Sequence, residues 1–183
     1  MRESGIEELS RLIEYAKAIG LQLNVRESFS ARFNLQKLAF FIRLLYNESF
    51  DDFGLYRHGP YSSDEATLYY KYADHELVLQ QQKVKEEYIE KLKEIYMDKT
   101  ESVIEGAATV LFLIKKGETD WKHIYIKLKE TKPKLSLEDR VDSVNLAKEF
   151  LMTTEDYERI RKIVKKEVAD LENAYEEDLF DRI

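Results

Sequence analysis

Two segments of this 183-residue chain are apolar around almost the whole circumference of a helix, and they constrain its fold more than any other feature. The first covers roughly Asn34–Tyr46 and the second Ser102–Lys116. A helix with so little polar surface is usually buried in the middle of its domain. The sequence therefore predicts a mainly helical domain assembled around two buried helices.

Capping signals and apolar spacing predict the remaining helices. Ser62 with Glu65, and Ser136 with Asp139, have the spacing of a capping box at a helix start. Asn34 is a plausible N-cap for the first buried helix, and Gly117 can end the second in the left-handed conformation. Residues 120–131 also alternate like a strand, but a cap at Asp120 favours a helix. Apolar residues at three- and four-residue spacing predict the other helices, over 4–20, 83–97 and 137–151.

Strand character appears in two short stretches. Residues 53–57 have the composition of a strand, which Gly59-Pro60 is expected to end. The apolar run at 77–81 is a candidate partner strand. The predicted fold is mainly α (α+β), a multi-helix domain with a small two- or three-stranded sheet, and a winged-helix arrangement remains an alternative.

The chain is expected to divide into a core and an extension. Residues 1–152 are predicted to form the helical core domain with the small sheet. Residues 153–183 are predicted to form a C-terminal helical extension that packs on the core or on a second subunit, which would make a homodimer. The basic group Arg159–Lys166 precedes an acidic segment on this helix, so pairing between turns explains it more simply than contact with nucleic acid.

Composition excludes several classes of function. Charged residues make up 36% of the chain, as in the surface ion pairs of thermophiles, and the formal net charge of −7 disfavours a general nucleic-acid binder. Cysteine is absent, which excludes disulfides and thiolate-bound metals. No secretory signal and no apolar run of membrane-spanning length is visible, so we expect a cytoplasmic protein without a membrane partner.

The corner at Arg57-His58-Gly59-Pro60-Tyr61-Ser62 is the strongest candidate site. Glycine permits a close backbone approach and proline stiffens the turn, beside a helix start that favours an acidic group. A partner-binding corner would use Arg57, His58, Tyr61 and Ser62, supported by Lys37. Turn geometry and capping alone also explain these residue types, and that structural explanation weighs more. Gln36 and Lys37 are expected to hydrogen-bond the carbonyls of the corner.

Motifs for metal binding and catalysis are weak. The three histidines, His58, His75 and His123, lie at no spacing that forms a metal site, and no glycine-rich phosphate loop occurs. Ser62 and Ser63 follow His58 but lack the glycine spacing of a nucleophile elbow. We therefore expect no cofactor, no metal and no catalytic residues.

Two separated stretches resemble the YwgA-like family of bacterial and archaeal proteins. They are Leu35-Gln36-Lys37-Leu38-Ala39-Phe40 and Tyr56-Arg57-His58-Gly59-Pro60-Tyr61-Ser62. Glu105-Gly106-Ala107-Ala108, Leu111–Lys116, Lys132-Pro133 and a helix with Ala147 are similar to a second block of that family, so the resemblance spans roughly 30–151. A more distant likeness is to the Panacea or SocA-like antitoxin domain. The resemblance supplies no catalytic residues, and its SocA-like relatives act through protein contacts.

Taken together, these observations favour a non-enzymatic protein–protein interaction module, antitoxin-like or regulatory. The alternative is a winged-helix transcriptional regulator whose helix after Ser62 enters the major groove. That helix carries Asp64, Glu65 and Asp74 against Lys71, a poor charge balance for DNA. An enzyme using His58 and a distant acid is the least favoured possibility.

Overall fold

A computed structural model describes residues 3–152 of the chain. Within that range it contains seven helices and one two-stranded antiparallel sheet, so the predicted mainly helical class with a small sheet is confirmed. The compact unit that carries every feature discussed below ends at Ala147. The elements in chain order are α1 (Glu3–Ala18), α2 (Phe29–Leu45), β1 (Gly54–Tyr56), β2 (Gly59–Tyr61), α3 (Ser63–Ala73), α4 (Glu86–Tyr96), α5 (Glu101–Lys115), α6 (Trp121–Thr131) and α7 (Leu137–Leu151).

Helices α2 and α5 supply more of the described core than any other two elements, as their all-round apolarity predicts. Ten consecutive or near-consecutive positions of α2 are buried between Ala31 and Ile42, and nine of α5 between Val103 and Phe112. The Phe40 ring is fully buried, with its centroid 5.5 Å from that of Phe53 and 6.2 Å from that of Phe112. Burial of such aromatic side chains is the main favourable term in folding.

The start of α2 differs from the prediction. The helix begins at Phe29, and the hydroxyl of Ser28 caps it by accepting a hydrogen bond from the Ala31 amide at 3.1 Å. Asn34 is therefore not the N-cap; it lies inside the helix, where its amide donates to the Ser30 hydroxyl. The predicted start at Asn34 was wrong because the serine cap and the apolar residues that precede Asn34 extend the helix by five residues.

The sheet is a hairpin rather than the predicted pairing of 53–57 with 77–81. Leu55 pairs with Pro60 and Tyr56 with Gly59, so Gly59-Pro60 begins a second strand instead of ending the sheet. The left-handed φ of +84° at Gly59 closes the turn, which a residue with a Cβ adopts only with strain. Residues 77–81 have no regular secondary structure, and Val78 there is 88% exposed.

Most predicted helix signals are confirmed. Ser62 caps α3, Asp120 caps α6, and Gly117 follows α5 with a φ of +98°. The Ser136 hydroxyl accepts from the Asp139 amide at 2.9 Å at the start of α7. Helix α4 begins at Glu86, later than the predicted Lys83. The extension over 153–183 and its basic group Arg159–Lys166 lie outside the described residues and stay predictions.

Candidate functional site

The corner, defined here as residues 56–62, consists of the hairpin turn, strand β2 and the cap of α3. Its backbone is held by side chains from two other segments of the chain. The Lys37 ammonium of α2 donates to the Pro60 carbonyl at 2.7 Å. The Lys132 ammonium, just after α6, donates to the Tyr56 carbonyl at 3.0 Å and to the Arg57 carbonyl at 2.5 Å. Two lysines thus donate to three carbonyls of the corner.

Gln36 fixes the far end of the corner. Its amide nitrogen donates to the Ser62 carbonyl and its amide oxygen accepts from the Ser62 amide, both at 2.9 Å. The Ser62 hydroxyl accepts from the Glu65 amide at 3.1 Å and donates to an Asp52 carboxylate oxygen at 2.6 Å. These bonds satisfy buried polar groups that would otherwise destabilise the fold. The predicted docking of Gln36 and Lys37 onto the corner is confirmed.

Helix α5 approaches the corner so closely that glycine is required. A Cβ on Gly59 would lie 3.2 Å from Thr109 Oγ1, 3.3 Å from the Glu105 carbonyl oxygen and 3.3 Å from Lys37 Cε. The Glu105 carboxylate reaches Lys132 Nζ at 2.9 Å and His58 Nδ1 at 3.1 Å. The corner is therefore packed between α2 and α5, and in the described part of the chain its exposed residues are Tyr56, Arg57 and His58.

A cleft of about 350 Å³ opens beside the corner, between the N-terminal half of α2 and helix α3. Its walls are mainly aromatic, and four basic side chains also reach it. The Tyr56 and Tyr61 rings meet edge to face at 5.3 Å, and Phe29 meets His58 in the same way at 5.2 Å. The lining comprises Phe29, Arg32, Phe33, Gln36, Lys37, Tyr56, Arg57, His58, Gly59, Tyr61, Tyr69 and Tyr70.

Burial shifts the pKa of two groups that line the cleft. Desolvation lowers the pKa of the Lys37 ammonium to about 7, with Lys132 acting in the same direction and Glu105 opposing both. Desolvation raises the pKa of Tyr69 to about 12, against a hydrogen bond from Gln36. Near neutral pH, Lys37 therefore exchanges between its charged and neutral forms, and Tyr69 keeps its phenolic proton.

The predicted site residues divide into exposed and buried groups. Arg57 and His58 are exposed and Tyr61 is half-buried, so these three are available to a partner. Ser62 is fully buried, which corrects the expectation that it contacts a partner directly; it acts as cap and spacer. Lys37 is buried to 2% exposure, and it reaches the cleft only at its floor. Gly59 and Pro60 are buried, and they shape the turn as predicted.

Several residues of the site were not predicted. Lys132 and Glu105 complete the support of the corner, and Phe29, Arg32 and Phe33 form one side of the cleft. The one available signal for Lys132 was a lysine beside a chain-breaking proline, which is too common to indicate a tertiary contact. Phe29 was assigned to a connector, so its place on a helix facing the corner was not foreseen.

Within residues 3–152, no three or more acidic or histidine side chains converge as metal ligands. In the same part of the chain, no helix has both the length and the apolarity needed to cross a bilayer. No protein-family model, curated protein or solved structure matches this chain.

Proposed function

We propose that this chain is a non-enzymatic protein-interaction module that docks an acidic segment of a partner protein at the cleft and the exposed edge of the corner. The observation that carries the proposal is a set of exposed side chains on a rigid support. Tyr56 is 62% exposed and Phe29 is 50% exposed, and both border the cleft. Aromatic and arginine side chains held in fixed positions are typical of interface hot spots.

Arg57 supports the acidic character of the partner. Its guanidinium is exposed and makes no hydrogen bond or ion pair with residues 3–152. Its backbone, in contrast, is held by Lys132, so little backbone entropy is lost when the side chain binds. A free arginine on a fixed backbone favours a carboxylate, to which it donates two parallel hydrogen bonds.

The proposed antitoxin-like or regulatory role follows from the resemblance to YwgA-like and SocA-like proteins. Its support is that the two stretches carrying the resemblance touch in space. Gln36 and Lys37 of the first stretch hydrogen-bond Pro60 and Ser62 of the second. The two motifs together therefore build one rigid corner, which gives a physical reason for their joint occurrence. Membership of that family is part of the proposal.

The alternative of DNA binding lacks such support. Helix α3 begins with exposed Ser63 and Asp64, and its cap residue Asp74 is also exposed. Lys71 is its one basic residue and is half-buried. A helix that enters the major groove needs cations facing the phosphates. We therefore do not propose this function.

The test compares partner capture by the tagged wild-type chain and three variants, expressed in its native cells and quantified by mass spectrometry. Arg57→Ala and Tyr56→Ala should each reduce recovery of the same partner protein at least tenfold. Lys122→Ala, which removes an exposed cation from α6 outside the cleft, should leave recovery unchanged. Equal recovery by all forms, or binding of random duplex DNA at low salt, would overturn the proposal.

A further inference from the structure

The cleft differs in charge from the molecule that contains it. The chain has a formal net charge of −7, yet among residues 3–152 no aspartate or glutamate lines the cleft. Arg32, Lys37, Arg57 and His58 line it instead. The nearest acid on α5, Glu105, is engaged by Lys132 at 2.9 Å and by His58 at 3.1 Å. An anion entering the cleft meets positive groups and no facing carboxylate.

Lys37 at the floor has unused hydrogen-bonding capacity. An ammonium has three N–H donors, and within residues 3–152 Lys37 uses one, toward the Pro60 carbonyl. The side chain is 2% exposed, so water reaches the other donors poorly. The Phe33 ring, whose centroid is 5.1 Å from Nζ, satisfies part of the charge. A carboxylate at the floor would supply acceptors for the remaining donors and a negative charge in addition to that of Glu105, which Lys132 and His58 share.

The size and walls of the cleft restrict what carries that carboxylate. About 350 Å³ lies near the lower end of ligand sites, which span roughly 300–1,000 Å³. This volume suits one bulky residue rather than a length of helix or strand. Four aromatic side chains could pack around a further ring in the cleft: Phe29, Phe33, Tyr61 and Tyr70. Aromatic pairs prefer edge-to-face or offset-stacked arrangements to direct face-to-face stacking.

We propose that the cleft binds the C-terminal residue of the partner protein, an aromatic residue whose ring lies between the aromatic walls and whose terminal carboxylate is held by Lys37. This inference rests on the proposed function and names the part of the partner that docks. Arg57 at the rim then contacts acidic side chains upstream of that terminus. In a protein, an aromatic residue also carries a carboxylate only when it is the C-terminal residue.

Binding in this form takes up a proton above neutral pH. A carboxylate beside Lys37 favours its charged form and raises its pKa from the value of about 7 in the free protein. The other charged and titratable groups around Lys37 come from five parts of the chain: Arg32 on α2, Tyr56, Arg57, His58 and Tyr61 on the hairpin, Tyr69 and Tyr70 on α3, Glu105 on α5 and Lys132 after α6. Because His58 also lines the cleft, the His58→Gln variant separates any contribution of the imidazole from that of Lys37.

The experiment measures binding of short peptides to the full chain by titration calorimetry at pH 8. The probes are acetyl-Gly-Ser-Phe with a free carboxylate, the same peptide amidated, and acetyl-Gly-Ser-Gly with a free carboxylate. The first should bind at least tenfold more tightly than either of the others. Its apparent enthalpy should differ between phosphate and Tris buffers, since proton uptake draws on the buffer, and His58→Gln should retain that difference.

Two variants test the cations of the cleft that attract the carboxylate. Lys37→Met keeps most of the length of the side chain but removes the ammonium, and it should abolish both the preference for the free carboxylate and the proton uptake. Because loss of the bond to Pro60 can disturb the fold, Arg32→Gln is the second variant, and it should weaken the acidic peptide at least threefold. Equal binding of acid and amide by the wild-type chain would overturn the inference.

Two further arms separate the possible failures. Acetyl-Glu-Glu-Phe, which places acidic side chains upstream of the terminus beside Arg57, should bind more tightly than free N-acetylphenylalanine, and equal binding of these two probes would overturn the assignment to a protein terminus. If no terminal peptide binds but Arg57→Ala still loses the captured protein, this inference fails and the proposed function stands. If the terminal peptides bind as expected and capture is unaffected by Arg57→Ala, the proposed function fails and the cleft remains a site for aromatic carboxylates.

Discussion

At the scale of single residues, Lys37 has the largest consequence, because it is a cationic side chain kept from water inside an apolar helix. Its ammonium supports the corner through Pro60, at 2.7 Å, while its burial disfavours the charge that makes it a strong donor. Removing such a group costs the hydrogen bond but relieves the desolvation. The balance between these two effects depends on pH.

The free energy of unfolding should rise with pH above neutrality because of Lys37. Its pKa is about 7 in the folded state against 10.5 ordinarily, so between those values the unfolded chain binds more protons. The gain is at most about 1.4 kcal/mol per pH unit for one proton. Urea denaturation of the wild type and Lys37→Met at pH 6.5, 7.5 and 8.5 measures this rise. The same dependence of the free energy of unfolding on pH in both proteins would contradict the role of Lys37. Tyr69, with a pKa of about 12, titrates outside this range.

At the scale of elements, the decisive contact is the close packing of α5 against α7. Gly106 of α5 faces Ser143 of α7, which is fully buried and whose hydroxyl lies 3.1 Å from the Val103 carbonyl oxygen and 2.6 Å from that of Asp139. A Cβ on Gly106 would lie 2.0 Å from Ser143 Oγ and 2.6 Å from Ser143 Cβ. The helices can remain this close only if this position carries no side chain.

Gly106→Ala should therefore lower the free energy of unfolding by about 1–3 kcal/mol, since α5 and α7 have to move apart. Gly5→Ala in α1 is the matched control. A Cβ there would lie 3.5 Å from Leu68, an ordinary contact, and alanine gains up to about 1 kcal/mol of helix propensity over glycine. Urea denaturation of both variants makes the comparison, and equal stability of the two would contradict the close packing.

The elements also show what a sequence can and cannot predict. The cap at Ser62 and the buried faces of α2 and α5 follow from spacing along the chain, and the structure confirms them. The predicted partner strand of β1 was wrong because a strand that ends at Gly59-Pro60 and a hairpin that turns there have the same local composition. Lys132 binds a carbonyl 75 positions away, at Arg57, and no periodicity encodes such a contact. The cleft was unforeseen for the same reason.

At the scale of the whole molecule, Arg43 connects segments that are distant in sequence. From α2 its guanidinium reaches Glu65 of α3 at 2.7 Å, Asp52 of the loop before β1 at 2.6 Å, and Glu8 of α1 at 3.2 Å. Glu65 is 3% exposed, and burial raises the pKa of its carboxyl although Arg43 opposes this. These ion pairs join α1 and α3 to α2, the helix that also supports the corner.

Arg43→Met should destabilise the fold by about 3–5 kcal/mol, because it leaves the Glu65 carboxylate buried without its cation. The loss should be smaller at pH 5 than at pH 8, since an unpaired buried carboxyl of raised pKa accepts a proton as pH falls. Arg26→Met is the control: its pair with Asp74 is half-exposed and should contribute less than about 1 kcal/mol. Thermal or urea unfolding at the two pH values tests both, and a loss independent of pH would contradict the role of Glu65.

The reach of Lys132 into the hairpin has a practical consequence for inhibitor design. A synthetic decoy that copies only residues 56–62 would lack both lysines beneath its carbonyls and would sample many conformations in solution. Such a peptide would compete poorly with the intact protein for the partner, even with an identical sequence. An effective competitor has to be a folded miniature that retains α2, α5 and the segment after α6.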